Sequence, residues 1–157
     1  MKLQVIAVGR LREAYFKAAC DEYASRVRHF LPFDETEVPS ATSDSGNGSG
    51  KGALQAEAES ILKQIPSGSK LIALDIQGKL LTSEKLSLYL QDEMLASTNR
   101  LSFVIGGAWG LAPALLDDAA LRLSLSPMTF PHELARVMLY EQLYRALTLW
   151  KNLPYHK

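Results

Sequence analysis

Residues 123–157 read LSLSPMTFPHELARVMLYEQLYRALTLWKNLPYHK, and this stretch decides how the chain folds. Its pattern predicts a short buried strand, a tight loop over 126–129, one long helix and a polar, aromatic tail over 151–157. Pro131 suits the first turn of the helix, because the N–H that proline lacks would have no partner there. No Gly or Pro follows until Pro154. The upstream chain is expected to serve as scaffold for this stretch.

The predicted helix carries two adjoining apolar stripes, so it should be deeply buried or shared between the core and a partner chain. Glu141 and Arg145 are four residues apart in the favourable order and are expected to pair. His132 and Arg136 have the same spacing near the helix start, where the helix dipole disfavours a cation. We therefore predict that His132 and Arg136 serve an anionic ligand.

Strand-like and helix-like stretches alternate through the rest of the chain, which is typical of an α/β fold with a parallel sheet. If the strands that end at Leu74, Gly106 and Leu125 are neighbours, their ends converge on one crevice. Asp75 also ends a strand, where open α/β sheets place function. The pattern predicts strands at 2–8, 33–38, 70–76 and 101–105, and helices at 14–28, 53–65, from Thr82 or Ser83 onward, and at 113–120.

Length and composition predict one domain over residues 1–157. Seventeen basic and 17 acidic side chains cancel, which argues against a protein that holds nucleic acid mainly through phosphates. Cys20 is the single cysteine, so no internal disulfide is possible, and no Cys and His spacing typical of a metal site occurs. The chain has no signal-like start and no apolar run of about 18 residues. We expect a cytoplasmic protein without a metal or a membrane segment.

Two segments are rich in glycine. Residues 40–52 have the composition of a flexible surface loop, and Ser45 and Gly52 exclude a phosphate-binding loop around Lys51. Residues 106–110, GGAWG, follow a predicted strand, but their spacing is not that of a dinucleotide fingerprint. The glycines there serve either the backbone turn alone or the close approach of a ligand.

The motifs together resemble one family. The chain is similar to the bacterial ribosomal RNA large-subunit methyltransferase H family, in the SPOUT class of S-adenosylmethionine-dependent methyltransferases, and the similarity covers nearly all of it. Family members commonly carry a small or polar residue in place of Trp109. The matching motifs are Lys2-Leu3-Gln4-Val5-Ile6-Ala7-Val8-Gly9, Leu74-Asp75-Ile76-Gln77-Gly78-Lys79, Val104-Ile105-Gly106-Gly107, Leu125 through His132, Arg136-Val137, Glu141 through Ala146 and Tyr155-His156-Lys157.

The resemblance implies a SPOUT-like α/β fold whose C-terminal strand and helix form a trefoil knot. It also implies a homodimer in which the tail of one subunit reaches the cofactor pocket of the other. The implied reaction is methylation of ring nitrogen 3 of a pseudouridine in the large-subunit ribosomal RNA. The implied contacts of the cofactor S-adenosylmethionine are Leu74, Gly106, Leu125, Ser126, Pro127, Met128, Thr129 and Phe130.

Such a transfer needs a group that accepts the N3 proton or stabilises the resulting anion. His132 is the first candidate base, because histidine exchanges protons near neutral pH. Arg136 is the predicted anion stabiliser and His156 the second candidate base. In the tail, Tyr155, His156 and Lys157 combine an aromatic ring, an imidazole and an ammonium, a mixture that suits RNA contact.

Two other functions fit the same sequence. The protein could be a non-catalytic ribosome-binding factor, or a methyltransferase of the same class that acts on transfer RNA. Zero net charge favours a substrate presented by the assembled ribosome, because a small neutral dimer has little electrostatic grip on naked RNA. Cofactor binding and the identity of the labelled RNA distinguish the three.

Overall fold

The computed structural model describes residues 1–41 and 50–155, so most of the predicted loop at 40–52 lies outside the described residues. Strands and helices alternate along these two ranges, as the sequence predicts. The elements are β1 (Lys2–Val8), α1 (Ala14–Arg28), β2 (Phe33–Val38), α2 (Lys51–Leu62), β3 (Lys70–Leu80), α3 (Ser83–Leu95), β4 (Arg100–Ile105), α4 (Pro113–Asp118), β5 (Leu121–Ser124) and α5 (His132–Trp150).

The described strands form one parallel sheet in the order β2-β1-β4-β3-β5, which confirms the predicted α/β fold. Central β1 pairs with β2 on one side and with β4 on the other, so that Leu3 faces both Phe33 and Leu101. The order also makes β4, β3 and β5 neighbours. Their carboxyl ends therefore share one edge of the sheet, as the crevice prediction requires.

Helices cover both faces of the sheet, which explains why β1 and β4 are buried along nearly their whole length. Side chains of α1, α3 and α5 form one apolar core with one face, and side chains of α2 and α4 form a second core with the other. Within residues 1–41 and 50–155, no helix is both long and apolar enough to cross a membrane.

Helix α5 is the central element of the larger core. Leu139, Leu143 and Leu147 are fully buried there against α1 and α3, while Val137 and Met138 stay half exposed. The helix begins one residue later than predicted: Pro131 is its N-cap, with extended backbone, rather than part of its first turn. The Pro131 carbonyl accepts the first helical bond, from the Ala135 N–H at 2.9 Å.

Strand β3 extends to Leu80, beyond the predicted end at 76, and includes the residues predicted to form a turn. Its pairing with β5 shifts register between Leu74 and Lys79, both of which lie opposite Leu123. A Cβ on Gly78 would lie 2.6 Å from the Arg122 backbone, so only glycine lets β3 stay so close to β5. The register shift makes residues 75–78 bulge out of the ladder at the crevice.

Candidate active site

A cavity of about 670 Å³ opens at the carboxyl ends of β3, β4 and β5, and we call it the strand-end crevice. Its size is that of a small-molecule site. Of the residues that the resemblance assigns to the cofactor, Pro127 is not among those that line it. The others line it: Leu74, Gly106, Leu125, Ser126, Met128, Thr129 and Phe130.

The glycine loop after β4 forms one wall of the crevice with its backbone. A Cβ on Gly106 would lie 2.3 Å from the Gly110 carbonyl oxygen, which leaves no room for a side chain. Gly110 has a φ of +78°, and its N–H donates to the Gly107 carbonyl at 3.1 Å. The turn itself thus requires the glycines, and the same turn presents bare backbone to the cavity. Trp109 is 56% exposed and packs against Gly50, at the start of α2.

The loop after β5 forms the opposite wall. The buried Ser124 hydroxyl lies within hydrogen-bond distance of the carbonyl oxygens of Ile76, at 3.2 Å, and Ser126, at 3.0 Å. The Met128 N–H donates to the Ser126 hydroxyl oxygen at 3.0 Å. These bonds tie the loop after β5 to the bulge of β3, which also lines the crevice.

Asp75 lies in the bulge and lines the crevice, but its charge is already compensated. The Arg122 guanidinium donates to its carboxylate at 2.8 Å from Nε, and both residues line the cavity. The second carboxylate oxygen accepts the Gln77 N–H at 3.2 Å. The position of Asp75 at a strand end predicted a functional role for it. No such pattern marked Arg122, whose partner lies 47 residues upstream.

His132 lines the crevice at the start of α5. A Cβ on Gly9 would lie 3.1 Å from its Nε2 atom, so the ring sits directly over the end of β1, where Gly9 has a φ of +85°. The next residue, Glu133, accepts the N–H groups of Arg12 at 2.8 Å and Glu13 at 3.3 Å. These contacts hold the start of α5, the helix that carries the imidazole.

Arg136 does not join His132 at the crevice, which corrects the prediction that the two serve one anionic ligand. Its guanidinium is buried, donates to Glu37 at 2.7 Å and to the Tyr140 hydroxyl at 3.1 Å, and is absent from the cavity lining. The Tyr140 hydroxyl donates in turn to Glu35 at 2.9 Å. Burial acts to lower the pKa of Arg136, but Tyr140 and Glu37 outweigh it and hold the pKa above its ordinary value.

These bonds turn the first turns of α5 into an anchor. We call Glu133, Arg136 and Tyr140, with their partners on the β1–α1 loop and β2, the α5 anchor. Burial also raises the pKa of Tyr140, so its hydroxyl stays protonated as a donor. The anchor holds the helix that carries His132.

In the described part of the C-terminal tail, Tyr155 folds back onto α5. Arg145 donates to Glu141 at 2.9 Å, which confirms the predicted pair, and the Tyr155 hydroxyl donates to the same carboxylate oxygen at 3.2 Å. The Tyr155 ring packs edge-on against Tyr144, with centroids 4.6 Å apart. Burial and the neighbouring Tyr23 and Glu141 raise the pKa of Tyr155. Tyr155 is not among the residues that line the crevice, and His156 lies outside the described residues.

The side chains that could bind a metal ion are dispersed over the described structure. Within residues 1–41 and 50–155, no group of three or more His, Cys, Asp or Glu side chains is placed to hold a metal ion. The strand-end crevice is lined by backbone, by apolar side chains, by the polar residues Gln77, Ser126 and Thr129, by the Asp75–Arg122 ion pair and by the His132 imidazole.

Comparison with known proteins points to one family. The sequence model described as a predicted SPOUT methyltransferase matches residues 1–156. The chain is 40% identical over 159 residues to the ribosomal RNA large subunit methyltransferase H of Alkaliphilus oremlandii, with all of both chains covered. It is 41% identical over 160 residues to the ribosomal RNA large subunit methyltransferase H 1 of Clostridium perfringens, again with full coverage of both.

Two solved structures share the fold at low sequence identity. A probable methyltransferase from Bordetella pertussis Tohama I superposes with a TM-score of 0.56 at 11% identity, over 93% of this chain and 96% of that one. A probable methylase family protein from Haemophilus influenzae Rd KW20 gives a TM-score of 0.53 at 15% identity, over 99% of this chain and 70% of that one. The resemblance drawn from the motifs is confirmed: the chain belongs to the SPOUT methyltransferase family, in the group of the ribosomal RNA large subunit methyltransferases H.

Proposed function

We propose that this protein transfers a methyl group from S-adenosylmethionine to ring nitrogen 3 of a pseudouridine in the large-subunit ribosomal RNA. One observation carries the proposal: three segments distant in sequence, ending at Leu74, Gly106 and Phe130, line one cavity of cofactor size in a chain that matches the family over its length. The names of the relatives supply the class of substrate.

The crevice fits the proposed cofactor. Gly106 lines the crevice without a side chain, so its backbone groups are available for close contact with a flat ring. Leu74 and Leu125 offer apolar surface to that ring, and Ser126 and Thr129 offer polar groups to the rest of the molecule. When bound, S-adenosylmethionine supplies an electrophilic methyl group on a sulfonium. Holding donor and acceptor in line can lower the barrier by roughly 7–11 kcal/mol.

We assign His132 as the group that takes the N3 proton. The imidazole lines the crevice over Gly9, and the bonds of Glu133 hold the start of the helix that carries it. Arg136, whose guanidinium is occupied by Glu37 and Tyr140, is assigned to anchoring the helix rather than to the anion. His156 remains the second candidate base.

Replacing His132 with Asn tests this assignment, because Asn keeps polarity but cannot take up a proton. We expect the methyl-transfer rate to fall by about 10²–10⁴-fold with little change in cofactor affinity. His29→Asn is the matched control, since His29 bonds Ser25 at the end of α1 and does not line the crevice. An unchanged rate in His132→Asn would move the role to His156.

We further propose that the active protein is a homodimer with composite sites, and that the C-terminal strand and helix form a trefoil knot. A groove lined by Tyr23, Val137, Met138, Glu141 and Gln142 leaves Val137 and Met138 of one apolar stripe partly exposed and supports contact with a partner. In the described chain the Tyr155 hydroxyl bonds Glu141 of its own helix. To reach the crevice of a partner subunit, Tyr155 must therefore leave this contact.

The proposed place of action is the ribosome in the cytoplasm. Zero net charge gives the protein little grip on naked RNA, so recognition depends on the shape that the assembled particle presents. Undermodified ribosomes are therefore the substrate of choice for the assay.

Methyl transfer can be tested with methyl-labelled S-adenosylmethionine, the purified protein and ribosomes that lack the modification. We expect label in the large-subunit RNA alone, at one pseudouridine, and less label on the same RNA stripped of protein. Label in transfer RNA would show that transfer RNA, and not ribosomal RNA, is the substrate. Cofactor binding without transfer to any RNA would contradict the catalytic proposal. Absence of cofactor binding would favour a ribosome-binding factor.

A further inference from the structure

Glu57 is a buried carboxylate that does not line the strand-end crevice. It lies on α2 and is only 3% exposed. Its Oε1 atom accepts the Ala41 N–H at 3.0 Å and the Ser40 hydroxyl at 3.3 Å. Its Oε2 atom is buried and has no hydrogen-bond partner among residues 1–41 and 50–155. Buried polar atoms normally have partners, so this oxygen calls for an explanation.

The carboxylate lies behind the glycine wall of the strand-end crevice. Both of its oxygens are 3.2 Å from the point that a Cβ on Gly107 would occupy. Gly107 lines the crevice, whereas Glu57 does not. The backbone of Gly107 therefore lies between this carboxylate and the cavity.

The described part of the chain provides no counter-charge for Glu57. None of the ion pairs among residues 1–41 and 50–155 includes it. Residues 42–49 read TSDSGNGS and contain no Lys, Arg or His. A buried carboxylate without a counter-charge is costly, so an opposite charge that binds near it would be strongly attracted.

The other carboxylate at the crevice cannot supply an uncompensated negative charge. Asp75 is bonded to Arg122, and the two charges cancel. A cation in the cavity therefore finds its unpaired opposite charge in Glu57. The field of a buried charge is weakly screened by water, so it acts across the thin wall of the glycine loop.

We propose that Glu57 is the electrostatic partner of the cationic methyl donor and sets the preference of the crevice for the sulfonium over the neutral sulfide product. The inference rests on the proposed function. The amino and carboxylate groups of the cofactor are common to both forms, so the sulfonium is the only difference in charge. Glu57 acts through the wall without touching the cofactor, and it favours exchange of spent product for fresh donor.

Isothermal titrations of Glu57→Gln with S-adenosylmethionine and with S-adenosylhomocysteine separate charge from structure. The amide oxygen of Gln can still accept the Ala41 N–H, while the negative charge is lost. We expect affinity for S-adenosylmethionine to fall about tenfold and affinity for S-adenosylhomocysteine to stay within about twofold. Glu59→Gln is the matched control, because it removes an exposed charge from the same helix and should change neither affinity.

Each outcome decides the matter. Equal loss of both affinities would mean that Glu57 only supports the loop, and unchanged affinities would mean that its charge is not felt; either result overturns the proposal. A wild-type protein that binds neither ligand would instead contradict the proposed function. If Glu57→Gln does not fold, the wild type must bind the donor and its amine analogue sinefungin more tightly than S-adenosylhomocysteine, and equal affinities would overturn the inference.

Discussion

The strand-end crevice and the α5 anchor are adjacent in sequence, because the loop over 125–130 lines the crevice and the anchor begins at Glu133. The two regions differ in the chemical groups that form them. Backbone forms the crevice walls at Gly106 and at the loop after β5, where side chains are excluded or tied back. Charged and hydroxyl side chains form the anchor, with Arg136 between Glu37 and Tyr140. The crevice should therefore be sensitive to added volume, and the anchor to lost charge.

Removal of the C-terminal tail gives the largest expected effect. A chain that ends at Pro154 loses the ring of Tyr155, whose hydroxyl bonds Glu141, together with His156 and Lys157. We expect methyl transfer to fall by more than about a thousandfold, because acceptor positioning is lost, while affinity for S-adenosylmethionine is kept. Label transfer and calorimetry measure the two quantities. Tyr155→Phe, which keeps the ring, serves as control, and loss of cofactor affinity as well would show that the tail is structural.

Removing a charge from the anchor gives the next largest effect. In Arg136→Ala, Glu37 and Glu35 lose their buried partner, and we expect the free energy of unfolding to fall by about 3–5 kcal/mol. Arg145→Ala breaks a more exposed pair with Glu141 and should cost less than about 1 kcal/mol. Chemical denaturation measures both. A stable Arg136→Ala that fails only in methyl transfer would restore Arg136 to the reaction.

Adding volume to the crevice wall should have a smaller effect on the fold and a specific one on the ligand. In Gly106→Ala the new Cβ meets the Gly110 carbonyl oxygen at 2.3 Å, so the loop must shift, at a cost of about 1–3 kcal/mol. We expect affinity for S-adenosylmethionine to fall at least tenfold, as measured by titration calorimetry. Gly52→Ala meets nothing within 4 Å and should leave affinity unchanged.

The smallest effect concerns Cys20, which packs beside the anchor and is fully buried. Burial raises the pKa of its thiol to about 11, so at pH 8 the group stays protonated and unreactive. A thiol reagent should label it only when the region opens, and labelling should be faster in Arg136→Ala. The stability that the neutral thiol contributes is complete below about pH 9 and is lost as the pH rises to about 11. Rapid labelling of the native protein at pH 8 would contradict the described packing.

Much of the fold follows from local sequence. The strand and helix bounds of β1, α1 and β2 coincide with those predicted, because the spacing of apolar residues marks them locally and Pro32 separates α1 from β2. The crevice was predictable for a different reason: parallel strands that are neighbours end at one edge, whatever their side chains. The ladder beyond Ile76 was missed, because the fit of Gly78 against Arg122 depends on tertiary contact.

Charged side chains were harder to place, because their partners are remote in sequence. Arg136 was expected at the ligand, but Glu37, 99 residues upstream, takes its guanidinium. No local sequence pattern indicates that Arg122 pairs with Asp75. Glu57 reads as an ordinary glutamate in the middle of a helix, and only the tertiary structure shows that it is buried behind Gly107. Periodicity predicts which elements form, but not which charges meet.

A crystal structure of the protein with S-adenosylmethionine tests the central claim most directly. We predict the cofactor in the strand-end crevice, in contact with Leu74, Gly106 and the loop over 125–130, with no ligand contact to Arg136. Cofactor bound outside the crevice, or a guanidinium of Arg136 released from Glu37 to meet it, would contradict the account.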